Sequence, residues 1–312
     1  MEKLEHAIRR IRQELGMLEL LENEALSAHC SFKIGEAARV LARPSDEEEL
    51  AALCRLLQEE GIRPLVLGRG SNLLFPDEGL PHSFLIETGK LQELRLLDEN
   101  RVYAAAGVSL AALANFAWRH GLTGLEFAAG IPGSLGGGLV MNAGAYGGEL
   151  KDVVLESRFF CLDRLDFFRL EKEECAFRYR DSVFKGHGGC VITGALLQLQ
   201  PGDPETIAGR MRQYSESRRE KQPLDYPSAG STFKRPEGHI AAALIDQAGL
   251  KGLRVGDAQV SEKHAGFVIN RGHATAQEVR CLMEEVGRIV EEKSGVRLEP
   301  EIIVLPPPHD GE

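Results

Sequence analysis

From Phe127 to Gly148 the chain reads FAAGIPGSLGGGLVMNAGAYGG, 22 positions with no charged residue and eight glycines. A charge-free run of this extent has the length of a membrane-spanning helix. Its content argues against one: Gly136, Gly137 and Gly138 are consecutive, Pro132 precedes them and Asn142 follows, and glycine and proline both disfavour a continuous helix. The run predicts instead a buried, glycine-rich loop with short flanking segments. Glycine lets a backbone approach a ligand closely and aim its N–H groups at it. Ser134, Asn142 and Tyr146 supply the few polar side chains such a cradle needs. A tight structural turn accounts for one or two of these glycines, not for eight.

The rest of the chain narrows the ligand. At 312 residues it is long enough for two or three domains and a sizeable core. A formal net charge of −10 argues against broad nucleic-acid binding, which needs a basic surface. An anionic small molecule would have to be met by local Lys and Arg. Met1 to Leu21 is dense in charge and has no apolar core segment, so neither a secretory signal nor membrane insertion is expected. The six cysteines are scattered without a C-x-x-C pair, which predicts no metal centre and small buried thiols in a cytoplasmic protein.

Periodicity places the elements. Leu4, Ile8, Ile11, Leu15 and Leu18 form one apolar face of an N-terminal helix. A strand is expected at Ala38–Leu41. Ser45 and Glu48 read as a capping box for a helix over Glu47–Glu60, stopped by Gly61. Arg63–Leu67 reads as a buried strand running into Gly68-Arg69-Gly70-Ser71-Asn72-Leu73. That is a strand followed by a Gly-rich turn, a context suited to phosphate. It is neither a dinucleotide fingerprint, since Leu73 stands where the third glycine belongs, nor a Walker A loop. Strands follow at Phe84–Glu87 and Val102–Ala106. Ser109 caps a helix to His120, with Gly121 as its stop. Beyond the central glycines, strands are expected at Val153–Leu162, Phe167–Leu170 and Cys190–Leu199, and helices at Glu205–Glu220, Ile240–Gln247 and Ala276–Lys293. Thr275 and Glu278 box the last of these helices. A short apolar strand and a run of prolines, Pro306 to Pro308, close the chain.

Two Gly-rich loops, each beside strands, imply a long ligand with more than one part. A dinucleotide fits, its pyrophosphate held by backbone N–H groups and its ring system against the other loop. Neither loop offers a strong acid, a base or a metal ligand, so the organic chemistry would belong to the cofactor, with the protein orienting it. Candidate chemical groups lie elsewhere. Arg180 stands among aromatic and polar residues, where arginine serves equally as an ion-pair partner of Asp181 or as an anion clamp. Ser231 sits in a compact turn without a nucleophile elbow, which leaves a serine hydrolase unsupported. Glu301, between Pro300 and an apolar run, is either a functional carboxyl or an exposed strand end. His264, beside Lys263, reads as a phosphate contact or as a structural histidine.

Read together, the motifs carry a resemblance. His29–Gly35, GRGSN at 68–72, AGIPGSLGG at 129–137, MNAGAYGGE at 141–149, FRYRDSVFK at 177–185, SAGSTFKRP at 228–236, AQVSEKHAGFVIN at 258–270 and LEPE at 298–301 occur in the order found in the UDP-N-acetylenolpyruvoylglucosamine reductases. The chain resembles the shorter form of that family, which lacks an extra substrate-covering loop. The resemblance implies an α+β fold: an FAD-binding region of the vanillyl-alcohol oxidase (PCMH) type and a smaller α+β substrate domain. It divides the chain into an N-terminal helix (1–28), the FAD region (29–203, parted near 95), a linking helix (204–220) and a C-terminal substrate domain (221–312).

The resemblance also implies a function in peptidoglycan synthesis, and so in cell-wall biogenesis, cell shape and cell division. Non-covalent FAD would be reduced by NADPH and would then reduce the enolpyruvyl group of UDP-N-acetylglucosamine enolpyruvate to give UDP-N-acetylmuramate. Ser231 would protonate the substrate, with Arg180 and Glu301 stabilising the enolate-like intermediate. Glu301 can help there only as a protonated hydrogen-bond donor. Arg69, Gly70, Ser71, Asn72 and Leu73 fall to the cofactor, as do Gly107, Gly130, Pro132 and Ser134, and also Gly136, Gly137, Asn142, Gly144, Ala145 and Tyr146. Tyr179, Lys221, Lys234, Arg235, Gln259, Lys263 and His264 fall to the UDP-sugar substrate. Two positions depart from the family pattern: Cys30 stands where Thr is usual, and Arg235 where Asn is frequent. Two other readings compete. One is a flavin oxidase of the same fold with a covalent link at His29 or Cys30. The other is a non-catalytic dinucleotide-binding regulator.

Overall fold

The computed structural model describes residues 2–186 and 188–306; Pro307 and Pro308 of the closing proline run lie outside them. The elements are mixed. Seven helices are described: α1 (Glu2–Glu14), α2 (Glu47–Glu59), α3 (Leu110–Arg119), α4 (Leu135–Val140), α5 (Pro204–Lys221), α6 (Ala241–Gln247) and α7 (Ala276–Ser294). Between them run short strands gathered into several sheets, which makes the fold α+β.

Contacts divide the chain into two units, and each is discontinuous. Unit 1 comprises Met1–Glu22, Val40–Arg69 and Ser83–Ser217. Unit 2 comprises Asn23–Arg39, Gly70–His82 and the described residues of Arg218–Glu312. The contiguous boundaries expected from the sequence, 29–203 and 221–312, are therefore not the boundaries of the packed bodies. The GRGSN loop itself changes unit after Arg69.

Unit 1 is built on a five-stranded antiparallel sheet in the order Asp166–Glu171, Val154–Cys161, Cys190–Gln198, Arg101–Ala105, Leu94–Leu96. Unit 1 also contributes residues 19–22, 40–43, 83–87 and 65–67 to a second sheet, in that order, the last two strands parallel. Its core joins the apolar faces of α1 and α2 (Leu4, Ile8, Ile11, Leu50, Leu53, Leu57) to Phe84, Ile86, Leu113 and Phe160. Burying each such side chain is worth about 1.5–3 kcal/mol. Several expectations hold here: Ser109 accepts from the Ala112 N–H as the cap of α3, and Gly61 and Gly121 take positive φ just past their helices.

Three do not. The cap of α2 is Asp46, one residue later than read, its carboxylate accepting from the Glu49 N–H at 2.8 Å. The strand read as buried, Leu65–Leu67, is an edge strand of its sheet, with Leu65 42 % and Val66 39 % exposed. The triple glycine is not loop but lies inside the six-residue α4. One and a half turns suffice to bury Gly136 and Gly138 where larger residues would not fit.

Unit 2 holds a three-stranded antiparallel sheet, Arg254–Val255, Ala258–Val260 and Val268–Asn270. The apolar stripe of α7 (Val279, Leu282, Val286, Val290) is fully buried. The Thr275–Glu278 capping box forms as read. The two early segments join this unit through identifiable bonds. Asp77 accepts from the N–H groups of Ala276 and Gln277 at 2.6 and 3.0 Å, capping the start of α7. Asn270, 2 % exposed, donates to the Phe32 carbonyl at 3.1 Å. Leu73–Leu74 pairs in parallel with Ile303–Val304.

Candidate functional site

In unit 1 the glycine-rich stretch is stitched to the chain before α3. Leu110 N–H donates to Gly133 O, Leu135 N–H to Val108 O and Gly136 N–H to Ala106 O, at 3.0, 2.8 and 2.9 Å. Close packing of the chain on itself explains four of the eight glycines. A Cβ on Gly136 would lie 3.0 Å from Ala106 Cβ, one on Gly138 2.8 Å from Leu150 Cδ1, one on Gly144 2.6 Å from the Gly148 carbonyl and one on Gly148 2.5 Å from the Phe127 ring. Gly107 is likewise hemmed in, by the Thr88 carbonyl at 2.4 Å. Gly137 differs. It is exposed, its missing Cβ would meet only Ser134 Oγ at 3.7 Å, and among the described residues no backbone carbonyl accepts from its N–H.

Ser134 is the singular polar group of this region. It stands at the start of α4, is 1 % exposed, makes no side-chain cap bond, and its hydroxyl has no hydrogen-bond partner. The Gly68 backbone lies against it: a Cβ at Gly68 would sit 2.9 Å from Ser134 Oγ. A buried, unpaired hydroxyl costs free energy. An orphaned hydroxyl and an unspent N–H, beside two glycines, fit the phosphate portion of a dinucleotide such as FAD.

Asn142 is occupied elsewhere. Fully buried and at φ 41°, it donates to Glu149 Oε2 and to the Arg178 carbonyl, both at 3.1 Å, and accepts from the Lys151 N–H at 3.0 Å. Its side chain holds the loop rather than presenting a polar group. Just beyond it, Gly144–Ala145 and Gly148–Glu149 form a tight hairpin whose two turn residues, Tyr146 (φ 53°) and Gly147 (φ 87°), both take positive φ. That is the hairpin geometry matching strand twist, unusual for a bulky residue. The Tyr146 ring stacks on Tyr214 of α5 at 4.3 Å and 2°, and its hydroxyl donates to the Tyr214 carbonyl at 3.0 Å. The sequence reading missed Tyr214, which no motif marks. Arg180, at φ 53°, donates to the Gly144 carbonyl at 3.0 Å and lies over the Tyr179 ring at 5.0 Å; Lys185 Nζ bonds its carbonyl at 2.9 Å. Arg180 is thus fixed to the glycine-rich hairpin.

Unit 2 gathers segments far apart in sequence. Ser31 donates from its hydroxyl to the Ser228 carbonyl at 2.6 Å and from its N–H to the Gly70 carbonyl at 3.2 Å. Gly70, at φ 57°, is confined: a Cβ there would lie 2.1 Å from the His29 carbonyl. The SAGSTFK and LEPE segments pair antiparallel. Glu301 N–H donates to the Thr232 carbonyl and Lys234 N–H to the Glu299 carbonyl, each at 2.8 Å, around the Phe233–Pro300 bridge. Exposed Ser231 is therefore one residue from the backbone partner of Glu301. Thr232 is pinned in turn, its N–H bonding the Gly266 carbonyl at 2.8 Å and its hydroxyl accepting from the Val268 N–H at 2.9 Å. Asn72 joins this cluster from the GRGSN loop, its side chain donating to the Glu301 carbonyl at 3.1 Å.

The residues read as substrate contacts divide by what they already do. Lys234 pairs with Glu299 at 3.1 Å on the edge of the same ladder. Lys263 Nζ bonds the Arg219 carbonyl at 2.7 Å, near the end of α5. Gln259, 6 % exposed, donates to the Gly252 carbonyl at 3.2 Å. Lys221 and Arg235 are exposed. His264 does not suit a phosphate cation. Burial holds its pKa below the ordinary value, the positive charge of Lys251 adds to that, Nδ1 accepts from the Gly266 N–H at 3.1 Å, and the ring packs edge-on to Phe267. Its ring is packed and hydrogen-bonded within unit 2, and burial disfavours its charged form. Cys30, 3 % exposed, donates its thiol to the Ile34 carbonyl at 3.3 Å, and burial pushes its pKa up.

No group of three or more His, Cys, Asp or Glu suited to a metal occurs among the described residues. No helix there is long and apolar enough to cross a membrane.

Comparison with known proteins identifies related chains. Residues 38–163 match the family model of the FAD binding domain, and residues 222–305 that of the UDP-N-acetylenolpyruvoylglucosamine reductase C-terminal domain. The UDP-N-acetylenolpyruvoylglucosamine reductase of Caldanaerobacter subterraneus subsp. tengcongensis is 44 % identical over 296 residues, covering 95 % of this chain and 97 % of its own. The crystal structure of the same-named reductase from Thermus caldophilus superposes with a TM-score of 0.77 at 36 % identity, covering 93 % of this chain and 99 % of its own. The structure of p-cresol methylhydroxylase with substrate bound, 12 % identical, gives a TM-score of 0.50 over 96 % of this chain and 66 % of its own, a likeness of fold alone.

Proposed function

The chain belongs to the UDP-N-acetylenolpyruvoylglucosamine reductase family, and on that premise we propose that it uses NADPH to reduce UDP-N-acetylglucosamine enolpyruvate to UDP-N-acetylmuramate in the cytoplasm, supplying peptidoglycan synthesis. The observation that carries this reading is the ladder between SAGSTFK and LEPE, which seats Ser231 beside Glu301. A proton donor and a second hydrogen-bonding carboxyl have no purpose in a module that only binds a dinucleotide.

FAD, held through its phosphate portion by Ser134 and the Gly137 N–H, would supply the hydride-transfer chemistry between NADPH and the enolpyruvyl carbon. The chain's own residues do the rest. Ser231 delivers a proton to the carbon beside the substrate carboxylate. Arg180, a permanent cation held by the Gly144 carbonyl, opposes the charge that develops on that carboxylate. Glu301, whose segment pairs with that of Ser231, contributes its carboxyl to the same site. Exposed Lys221 and Arg235 are candidates for the UDP diphosphate, and Lys234 and Lys263 would have to exchange the Glu299 and Arg219 contacts to reach it. Burial and the raised pKa of the Cys30 thiol disfavour a covalent flavin there, which speaks against the oxidase reading.

Anaerobic addition of NADPH to the purified yellow protein should bleach the flavin band, and the enolpyruvyl substrate should then restore it. Bleaching by a sugar or alcohol rather than by NADPH, with restoration by dioxygen and not by the enolpyruvyl substrate, would overturn the proposal in favour of an oxidase.

A further inference from the structure

We propose that Asn72, which the family resemblance assigns to the cofactor, is a positioning residue for Glu301; the role rests on the catalytic assignment just made. The geometry is local to unit 2. The peptide groups on both sides of the Glu301 α-carbon are held: its N–H donates to the Thr232 carbonyl at 2.8 Å, and its carbonyl accepts from Asn72 Nδ2 at 3.1 Å. Fixing both groups fixes the direction in which the Glu301 side chain leaves the backbone, relative to Ser231 one residue from Thr232.

Asn72 is itself anchored. Its carbonyl accepts from the Ile303 N–H at 2.9 Å, and Leu73 and Leu74 continue the parallel pairing with Ile303 and Val304. Pro300, before Glu301, has a ring-locked φ and no N–H to offer an alternative bond. Without Asn72 the Glu301 carbonyl loses a side-chain amide donor at 3.1 Å. The requirement is for a donor. Aspartate at position 72 has the same shape but would set a carboxylate oxygen against a carbonyl oxygen.

The test compares Asn72→Ala and Asn72→Asp with wild type as full-length protein. Four quantities are read: FAD dissociation constant, thermal midpoint, and the rates of NADPH-dependent bleaching and substrate-dependent recovery by anaerobic stopped flow. A misplacement of about 1 Å at a catalytic group costs on the order of 100-fold in rate, so recovery should slow by about 10- to 100-fold, the maximal rate more than the apparent KM. FAD affinity and bleaching should stay within about 2-fold of wild type on the same reasoning, because neither uses Glu301. Added to Glu301→Gln, Asn72→Ala should cost little more, since both act through one group. Weakened FAD binding with normal recovery would overturn the proposal and return Asn72 to the cofactor. Equal slowing of both steps, or additive losses in the double variant, would overturn it too, as would failure of both Asn72 variants to fold. A wild type that NADPH cannot bleach would indict the proposed function instead.

Discussion

Replacing Ser134 with alanine separates a ligand-directed hydroxyl from a structural one by the sign of its effect. In the ligand-free chain the hydroxyl is buried at 1 % exposure, caps nothing and has no partner. An unsatisfied buried polar group costs about 1–3 kcal/mol. Ser134→Ala removes it without breaking any bond, and the apoprotein should be as stable as wild type or up to about 1 kcal/mol more so. With FAD bound, the same hydroxyl should meet an anionic phosphate oxygen. A hydrogen bond to a charged group is worth about 1.5–3 kcal/mol, and each 1.4 kcal/mol is about tenfold in affinity. The FAD dissociation constant should therefore rise by about 10- to 150-fold. Titration of apoprotein with FAD, followed by flavin fluorescence, gives the affinity, and denaturant unfolding of apoprotein gives the stability. An apoprotein destabilised by more than about 1 kcal/mol would mean that the hydroxyl bonds its own chain. Unchanged FAD affinity would mean that it faces no ligand.

Further outcomes follow from single positions. Gly137→Ala, in the open part of α4, should stabilise the apoprotein by about 0.5–1 kcal/mol through helix propensity while weakening FAD, measured by the same two titrations. Gly70→Ala, at φ 57° with a Cβ 2.1 Å from the His29 carbonyl, should fail to give folded protein at 37 °C, seen as loss of the cooperative thermal transition. Ser231→Ala should leave NADPH-dependent bleaching intact and slow substrate-dependent recovery by about 10²–10⁴-fold, the usual weight of general acid catalysis; equal effects on both steps in stopped flow would remove it as the proton donor. His264, whose pKa burial depresses, is kept neutral in the fold while the unfolded chain protonates near pH 6.5. The unfolded state then binds more protons, so stability should fall as pH drops below about 6.5, and denaturant midpoints of His264→Gln should fall less over that range.

Much of the secondary structure was legible because its signals are local. The Thr275–Glu278 box, the Ser109 cap and the glycines after α2 and α3 all stand where read. The misplaced cap of α2 shows the limit of spacing alone: Ser45-x-x-Glu48 and Asp46-x-x-Glu49 are adjacent, and only geometry shows that Asp46 is the one used. The discontinuous units were not legible. They depend on bonds such as Asp77 to the start of α7 and Asn270 to Phe32, between residues about two hundred positions apart whose pairing no periodicity encodes. In the site, motif order alone placed Ser231 and Glu301 in one reaction, and the ladder between their segments brings them together. The hydrogen bonds of Asn142 and His264 within the fold were hidden, because a polar side chain bonded to its own chain reads the same in sequence as one awaiting a ligand.

The glycine-rich stretch owes its glycines to a cause other than the one read from the sequence. Its glycines were read as room for a ligand. In the fold, Gly136, Gly138, Gly144 and Gly148 give room to the chain itself, each blocked by a neighbouring atom within 3.0 Å of where a Cβ would be, and Gly107 and Gly70 in other segments do the same. This close packing has a consequence for binding. It draws the backbone of Ala106–Ser109 onto Gly133–Gly136 and spends those amides on its own carbonyls. Among the described residues beside that packed backbone, the Gly137 N–H has no backbone acceptor and the Ser134 hydroxyl has no partner. A phosphate would then be recognised in unit 1 by few donors on a rigid frame, and affinity would rest on preorganisation rather than on many contacts. Loss of a single donor should consequently be felt strongly, whereas a flexible loop would share that loss among its remaining amides.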